Sequence, residues 1–245
     1  MAHDPTALPD FVSACETATR VRDLWALALD FFHARGIDKI SYHRNDPDRP
    51  LDGPPPIVSD GYPPGWVCKY IDGKLALIDP VRRAAARMSE PFLWSEIRSI
   101  LPMTPEAERY LDIVAEADLG DGVAIQVYGP NLRNAYVGLG FADAGTRPTR
   151  TEMFELQCAA QIAHLRYCAI VADRNPAGAR TLSAREREVL EWMARGKSNG
   201  VIADILGLSR HTVDTLVRRI YDKLDVSDRV TAVLHGIGAG LLRTD

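Results

Sequence analysis

The sequence predicts an α+β chain in two parts: an α/β/α sandwich with a central antiparallel sheet, then an all-α domain of four helices. Three observations predict this. The first 172 residues run helix, strand, helices, hairpin, helix, an order that places a sheet between helical layers. Asp173 to Ala179 is small, polar and broken by Pro176 and Gly178, which marks a linker. Beyond it, four short apolar-periodic segments are separated by Gly and Ser, the residues that stop and start helices. The expected domains are therefore 1–172 and 180–245, joined by 173–179.

Taken in order, Pro9 to Ala34 carries Phe11, Val12, Cys15, Val21, Leu24, Leu27, Ala28, Phe31 and Phe32 at helical spacing. Lys39 to His43 reads as a strand. Asn45 to Ser59 holds five prolines and reads as loop. Gly65–Tyr70, Pro80–Met88 and Pro105–Ala117 read as helices. Gly122–Tyr128 and Ala135–Phe141 alternate partly at period two around a Gly129-Pro130-Asn131 turn, which makes a β-hairpin. Thr149 to Ala172 is a long amphipathic helix.

In the last part, Ser183 and Glu186 form a capping box, and the helix they open ends at Gly196. Ser198 opens a second helix with Ile202, Ala203, Ile205 and Leu206, stopped by Gly207. Ser209 opens a third, with Val213, Leu216, Val217, Ile220 and Leu224 inward. A fourth follows Ser227, with Val230, Val233, Leu234 and Ile237.

Composition bounds the function. The chain has 245 residues, 46% apolar and 25% charged, which excludes collagen-like and disordered classes. No apolar run approaches the ~20 residues that span a bilayer, and the N-terminus lacks a secretory pattern. Four dispersed cysteines and six unclustered histidines suggest neither a disulfide framework nor a metal site, and a reducing cytoplasm is the expected location. The net charge is −4, yet the residues from Pro176 on carry 11 Lys and Arg against 9 Asp and Glu. That asymmetry is compatible with a nucleic-acid partner.

Two helices joined through Gly207-Leu208-Ser209 make a helix-turn-helix, whose second helix fits a major groove. Its outward side holds Arg210, His211, Asp214, Thr215, Arg218, Arg219 and Asp222, with Lys223 beside them. Arg there can bridge guanine, Asp can accept from cytosine, and flanking cations can bind phosphate. The motifs Leu182-Ser183-x-Arg185-Glu186-x-Glu188-Val189-Leu190, Ala194-x-Gly196-Lys197-Ser198-Asn199, Leu208-Ser209, Thr212-Val213 and Lys223-Leu224 resemble the LuxR-type DNA-binding domain. Val201, Asp214 and Leu216 depart from its usual residues. The resemblance implies DNA contacts from Lys197, Ser198, Arg210, His211, Thr212, Asp214, Thr215, Arg218, Arg219 and Lys223.

Upstream, Tyr62-x3-Trp66-x3-Tyr70-x8-Asp79-Pro80-Val81, then Phe92-x-Trp94 and Gly122, resemble the autoinducer-binding domain of quorum-sensing receptors. The implied ligand is an acyl-homoserine lactone. By resemblance, Trp66 donates to the lactone carbonyl, Asp79 accepts from the amide, Tyr70 donates to the acyl carbonyl and Trp94 walls the ring. Tyr62, Pro80, Gly122, Ala124 and Gly138 complete the implied ligand site. Ala124, Gln126 and Gly138 stand where the family often has Thr, Pro and a Ser or Thr, so loss of a hydroxyl at Gly138 argues against reading a 3-oxo group.

Gly196-Lys197-Ser198-Asn199-Gly200 matches a nucleophile-elbow pattern, but a helix precedes it where that motif needs a strand, so no enzyme is expected. The resemblance implies a cytoplasmic, homodimeric quorum-sensing regulator without a cofactor, binding a small autoinducer and double-stranded operator DNA, with RNA polymerase a further partner and no membrane. The alternative is a solo regulator of the same build that answers a non-lactone or aryl-acyl signal, or acts without ligand.

Overall fold

In the computed structural model of the chain, residues 7–44, 57–143, 145–174 and 182–242 are described. They divide into two compact units, one containing residues 7–129 and 133–171, the other the residues from Ala172 on. Most of the expected linker lies outside the described residues, but its first two, Asp173 and Arg174, are helical.

Among the described residues, the first unit is built on five antiparallel strands. These are β1 (Ile37–Arg44), β2 (Ile57–Asp60), β3 (Phe92–Leu93), β4 (Gly122–Val127) and β5 (Ala135–Phe141), in the order β2-β1-β5-β4-β3. Helices α1 (Leu8–Thr17), α2 (Val21–His33) and α7 (Arg150–Arg174) cover one face. Helices α3 (Trp66–Asp72), α4 (Pro80–Ala85), α5 (Ile97–Ile100) and α6 (Pro105–Glu116) lie on the other.

Strand alternation sorts the side chains. On β1, Ile40 and Tyr42 pack with α2 and α7, while Ser41 and His43 face away from them. On β4 and β5, Val123, Ile125, Val127, Val137 and Leu139 join the same apolar core, and Ala124 and Tyr136 join the opposite cluster.

Three sequence expectations need correction, and two short elements were not foreseen. The apolar pattern of Pro9–Ala34 spans two helices, because the chain is extended at Ala18 and Arg20. Periodicity alone cannot see this break, which brings Phe11 onto Phe31 with ring centroids 4.4 Å apart. Ile57–Ser59 is part of β2 rather than loop, paired with β1 from His43↔Ile57 to Ile40↔Asp60; the remainder of that proline-rich loop lies outside the described residues. The β4–β5 connection is longer than a tight turn and contains a 3-10 turn at Pro130–Leu132. Strand β3 and helix α5 were too short to show a period.

The second unit has α8 (Ala184–Ala194), α9 (Asn199–Leu206), α10 (Arg210–Leu224) and α11 (Arg229–Gly238). Each starts on a side-chain cap: Ser183 accepts from Glu186 N, Ser198 from Val201 N, Ser209 from Thr212 N and Asp228 from Thr231 N. Glu186 returns the bond to Ser183 N at 2.7 Å, closing the capping box. Gly196 (φ +74°) and Gly207 (φ +63°) take the left-handed conformation that ends α8 and α9. Val189, Leu190, Met193, Ile202, Val213 and Ile220 form the core. On α11 the buried positions are Ala232 and Gly236, whereas Val230, Leu234 and Ile237 are exposed. Among the described residues, no helix is long and apolar enough to cross a membrane.

Candidate functional site

A cavity of about 500 Å³ opens between the sheet and helices α3–α6. Helix α3 contributes Trp66 and Tyr70 from successive turns of one face, which is why an x3 spacing brings them together. Asp79 precedes Pro80 at the start of α4 and is its N-cap. Its Oδ1 accepts from Val81 N (2.9 Å) and Arg82 N (3.1 Å). Its Oδ2 accepts from the hydroxyls of Tyr70 (2.8 Å) and Tyr110 (3.1 Å). Burial pushes the Asp79 carboxyl above its usual range, against the pull of these donors. Burial, then the nearby Asp79 carboxylate, raises Tyr70 and Tyr110 well above the ordinary tyrosine value, so both stay protonated donors.

Of the residues implied by resemblance, Tyr62, Trp66, Tyr70, Asp79 and Trp94 line the cavity. Pro80, Gly122, Ala124 and Gly138 are not among its lining residues. A Cβ on Gly122 would stand 2.8 Å from Trp94 Cη2 and one on Gly140 3.1 Å from it, so two glycines make room for the indole. Asp121 fixes the same loop by accepting from Ser95 N (3.0 Å), Ser95 Oγ (2.6 Å) and Gly122 N (2.8 Å). Tyr70 donates to Asp79 here, so the two act as one unit at the cavity wall.

Further lining residues come from distant elements. Tyr110 arrives from α6, Ser41 and His43 from β1, and Tyr136 from β5. Tyr62 donates to Ser41 Oγ at 3.3 Å, and burial pushes the Tyr62 hydroxyl up to about 12. His43 stands edge-on to Tyr70 and Tyr136, with centroids 5.4 and 5.1 Å away. Its buried Nδ1 has no hydrogen-bond partner. Burial, helped by the Arg82 charge, lowers His43 to about 3, which keeps the ring neutral. Trp94 Nε1 is also buried without a well-formed hydrogen bond, although it lies near enough to Tyr136 to counter the upward push of burial on that hydroxyl. For Ser41 and His43 the β1 alternation, which sets them two residues apart, offered a sequence signal.

In the second unit, α10 presents Arg210, His211, Thr212, Arg218 and Arg219 to solvent, with Thr215 half-buried. Lys197 and the capping Ser198 are exposed ahead of α9. Two expected contact residues also make hydrogen bonds inside the unit. Asp214 accepts from Asn199 Nδ2 at 2.7 Å, and Asn199 Oδ1 in turn accepts from Arg229 at 3.2 Å. Lys223 Nζ donates to the buried Glu186 at 2.6 Å. Burial alone would raise Glu186, but Lys223 and the Ser183 amide outweigh it and hold the carboxyl below its usual range.

Comparison with known proteins agrees with this geometry. Residues 20–167 match the family described as "Autoinducer binding domain". Residues 180–235 match "Bacterial regulatory proteins, luxR family". The chain is 30% identical to the transcriptional activator protein SolR of Ralstonia solanacearum over 242 residues, 96% of this chain and 99% of that one. It is 28% identical to the quorum sensing-dependent transcriptional regulator RpaR of Rhodopseudomonas palustris over 197 residues, covering 80% and 79%. The crystal structure of Escherichia coli SdiA shares its fold, with a TM-score of 0.69 at 18% identity, covering 97% of this chain and 98% of that one. With a family match across each unit, the chain belongs to the LuxR family of quorum-sensing transcriptional regulators, with an autoinducer-binding domain followed by a helix-turn-helix DNA-binding domain.

Proposed function

We propose that residues 1–172 bind an N-acyl homoserine lactone in the 500 Å³ cavity and that residues 180–245 read a two-fold operator as part of a homodimer, with 173–179 as the linker. The observation that carries the reading is the buried Tyr70–Asp79–Tyr110 cluster in a cavity also lined by Trp66 and Trp94. An amide and a lactone carbonyl need an acceptor and donors set in an apolar frame, and these residues supply both. Pro80 sets the start of α4, Gly122 seats Trp94, and Ala124 and Gly138 keep the sheet wall low.

Ligand held by the folded unit stabilises it by about 2.7 kcal/mol at a hundredfold excess over Kd, and so biases the DNA-competent state. On α10, Arg210, His211, Thr212, Thr215, Arg218 and Arg219 meet the groove and its phosphates, supported by Lys197 and Ser198 ahead of α9. Asp214 and Lys223 brace the helix from within. The exposed Val230, Leu234 and Ile237 of α11 and Leu165 of α7 are suited to a second copy of the chain. The protein works in the cytoplasm, where it meets operator DNA and RNA polymerase.

Thermal melting of the purified chain across a lactone panel tests the ligand. A rise of about 5–11 °C at a hundredfold excess over Kd with one chain length, lost in Asp79→Asn, is expected. No rise from folded protein with any lactone rejects the reading. A second reading, an acyl ligand without the lactone ring, is favoured by one observation: Asp79 already has four protein donors and does not depend on a ligand amide. A structure of SdiA in complex with octanoyl-rac-glycerol shows such a ligand in a protein of this fold. Melting with octanoyl-glycerol in the same panel separates the two.

A further inference from the structure

The cavity wall formed by the sheet is polar where a hydrocarbon tail would prefer aliphatic side chains. His43 is 5% exposed and Ser41 5% exposed, both on the cavity side of β1. His43 Nδ1 is buried with no hydrogen-bond partner. A neutral imidazole carries one donor and one acceptor, so it offers hydrogen bonding to whatever lies against it. An n-alkyl chain packed there would leave that capacity unused, at the cost of an unsatisfied buried group.

Position narrows the ligand group further. The His43 ring meets Tyr70 edge-on at 5.4 Å, and Tyr70 is bonded to Asp79. On the lactone reading, His43 therefore adjoins the place the ligand amide would take beside Asp79, opposite the first few acyl atoms. Ser41 pairs with Gly138 across the β1–β5 ladder, and its Oγ lies 2.8 Å from the point a Gly138 Cβ would occupy. Ser41 thus places a hydroxyl from the neighbouring strand beside the position where residue 138 has none.

We propose that His43, with Ser41 beside it, is a specificity-determining subsite that selects N-acyl lactones bearing a keto or hydroxyl oxygen close to the amide over unsubstituted n-alkyl lactones. The proposal rests on the lactone reading of the cavity, and its test separates the two. Full-length protein is titrated calorimetrically with matched 3-oxo, 3-hydroxy and unsubstituted acyl-homoserine lactones of several chain lengths. Wild type binds an oxygen-bearing member about tenfold tighter than its unsubstituted partner, one net hydrogen bond's worth. His43→Phe, which keeps an aromatic ring of similar breadth, brings that ratio to within about twofold, and Ser41→Ala reduces it part of the way. Equal binding of the pair by wild type, or a ratio that survives in both variants, overturns the subsite while leaving the lactone reading intact. Binding of no lactone at all overturns both. Should His43→Phe fail to fold, the wild-type ratio and Ser41→Ala decide the matter by the same criteria.

Discussion

On the side of the sheet turned to α1, α2 and α7, β1, β4 and β5 present Ile40, Val123, Ile125, Val127, Val137, Leu139 and Phe141. On the other side the same strands present Ser41, His43, Gly122, Ala124, Tyr136 and Gly138. The first side is hydrocarbon, close-packed on helices, and its residues gain most of their stabilisation by leaving water. The second side combines small residues with buried hydroxyls and an imidazole that lacks a partner at Nδ1. The difference separates the surface that makes the unit fold from the surface that leaves interactions for something else to complete.

The largest expected effect lies on the polar side and depends on pH. His43 falls to about 3 in the folded chain, against about 6.5 when unfolded. Between those values the unfolded chain holds the extra proton, so the stability tied to a neutral His43 is complete above about 6.5 and drains away as pH falls toward 3. Asp79, raised by burial, acts in the opposite sense and favours the folded chain as acid is added. His43→Phe should therefore flatten the acid limb of urea-unfolding stability by as much as about 4–5 kcal/mol near pH 3. Parallel limbs for wild type and variant would show that His43 is not held neutral by the fold.

The next effect is on the hydrocarbon side. Ile125 is fully buried, and Ile125→Ala leaves a cavity between sheet and helices. Unfolding in denaturant should show a loss of about 2–5 kcal/mol, independent of pH and not specific to any lactone. A loss under about 1 kcal/mol would mean that this core can collapse around the hole.

Gly122→Ala should sit between the two kinds of behaviour. Its new Cβ would meet Leu139 O at 2.5 Å and Gly140 Cα at 2.8 Å, backbone atoms that have nowhere to go, as well as Trp94 Cη2 at 2.8 Å. A destabilisation of about 1–3 kcal/mol is expected. Because Trp94 must also shift, the melting response to lactone should shrink more than it does in Ile125→Ala. Equal responses in the two variants would separate Trp94 from the ligand site.

These contrasts also explain what the sequence made readable. In the second unit every helix start is a local event: Ser183 with Glu186, Ser198 with Val201, Ser209 with Thr212 and Asp228 with Thr231, each three residues apart. Such signals survive in one dimension. Trp66, Tyr70 and Asp79 were visible for the same reason, being close in the chain and carried by a family pattern. Tyr110 reaches Asp79 only through tertiary packing, and nothing near it in sequence marks that destination. Helical period also cannot say which stripe faces inward: on α11 the small Ala232 and Gly236 are buried and the larger Val230 and Leu234 are exposed. The internal partners of Asp214 and Lys223, Asn199 and Glu186, lie 15 and 37 residues away and could not be read from the local sequence.

The smallest effect is also the sharpest test of the polar face. A Cβ on Gly138 would stand 2.8 Å from Ser41 Oγ and 3.0 Å from the Tyr136 hydroxyl. Both are side-chain atoms, and Tyr136 can swing its far end, so relief is cheaper than at Gly122. Gly138→Ala alone should cost about 1 kcal/mol in denaturant unfolding. Ser41→Ala removes the closest obstacle but also removes the acceptor for Tyr62. In the double variant the two costs should therefore fall short of their sum by about 0.5 kcal/mol or more, since the added methyl fills space the hydroxyl has left. Strict additivity would mean that Ser41 does not occupy the space above Gly138, and the hydroxyl supplied from β1 would then have to be sought elsewhere on the wall.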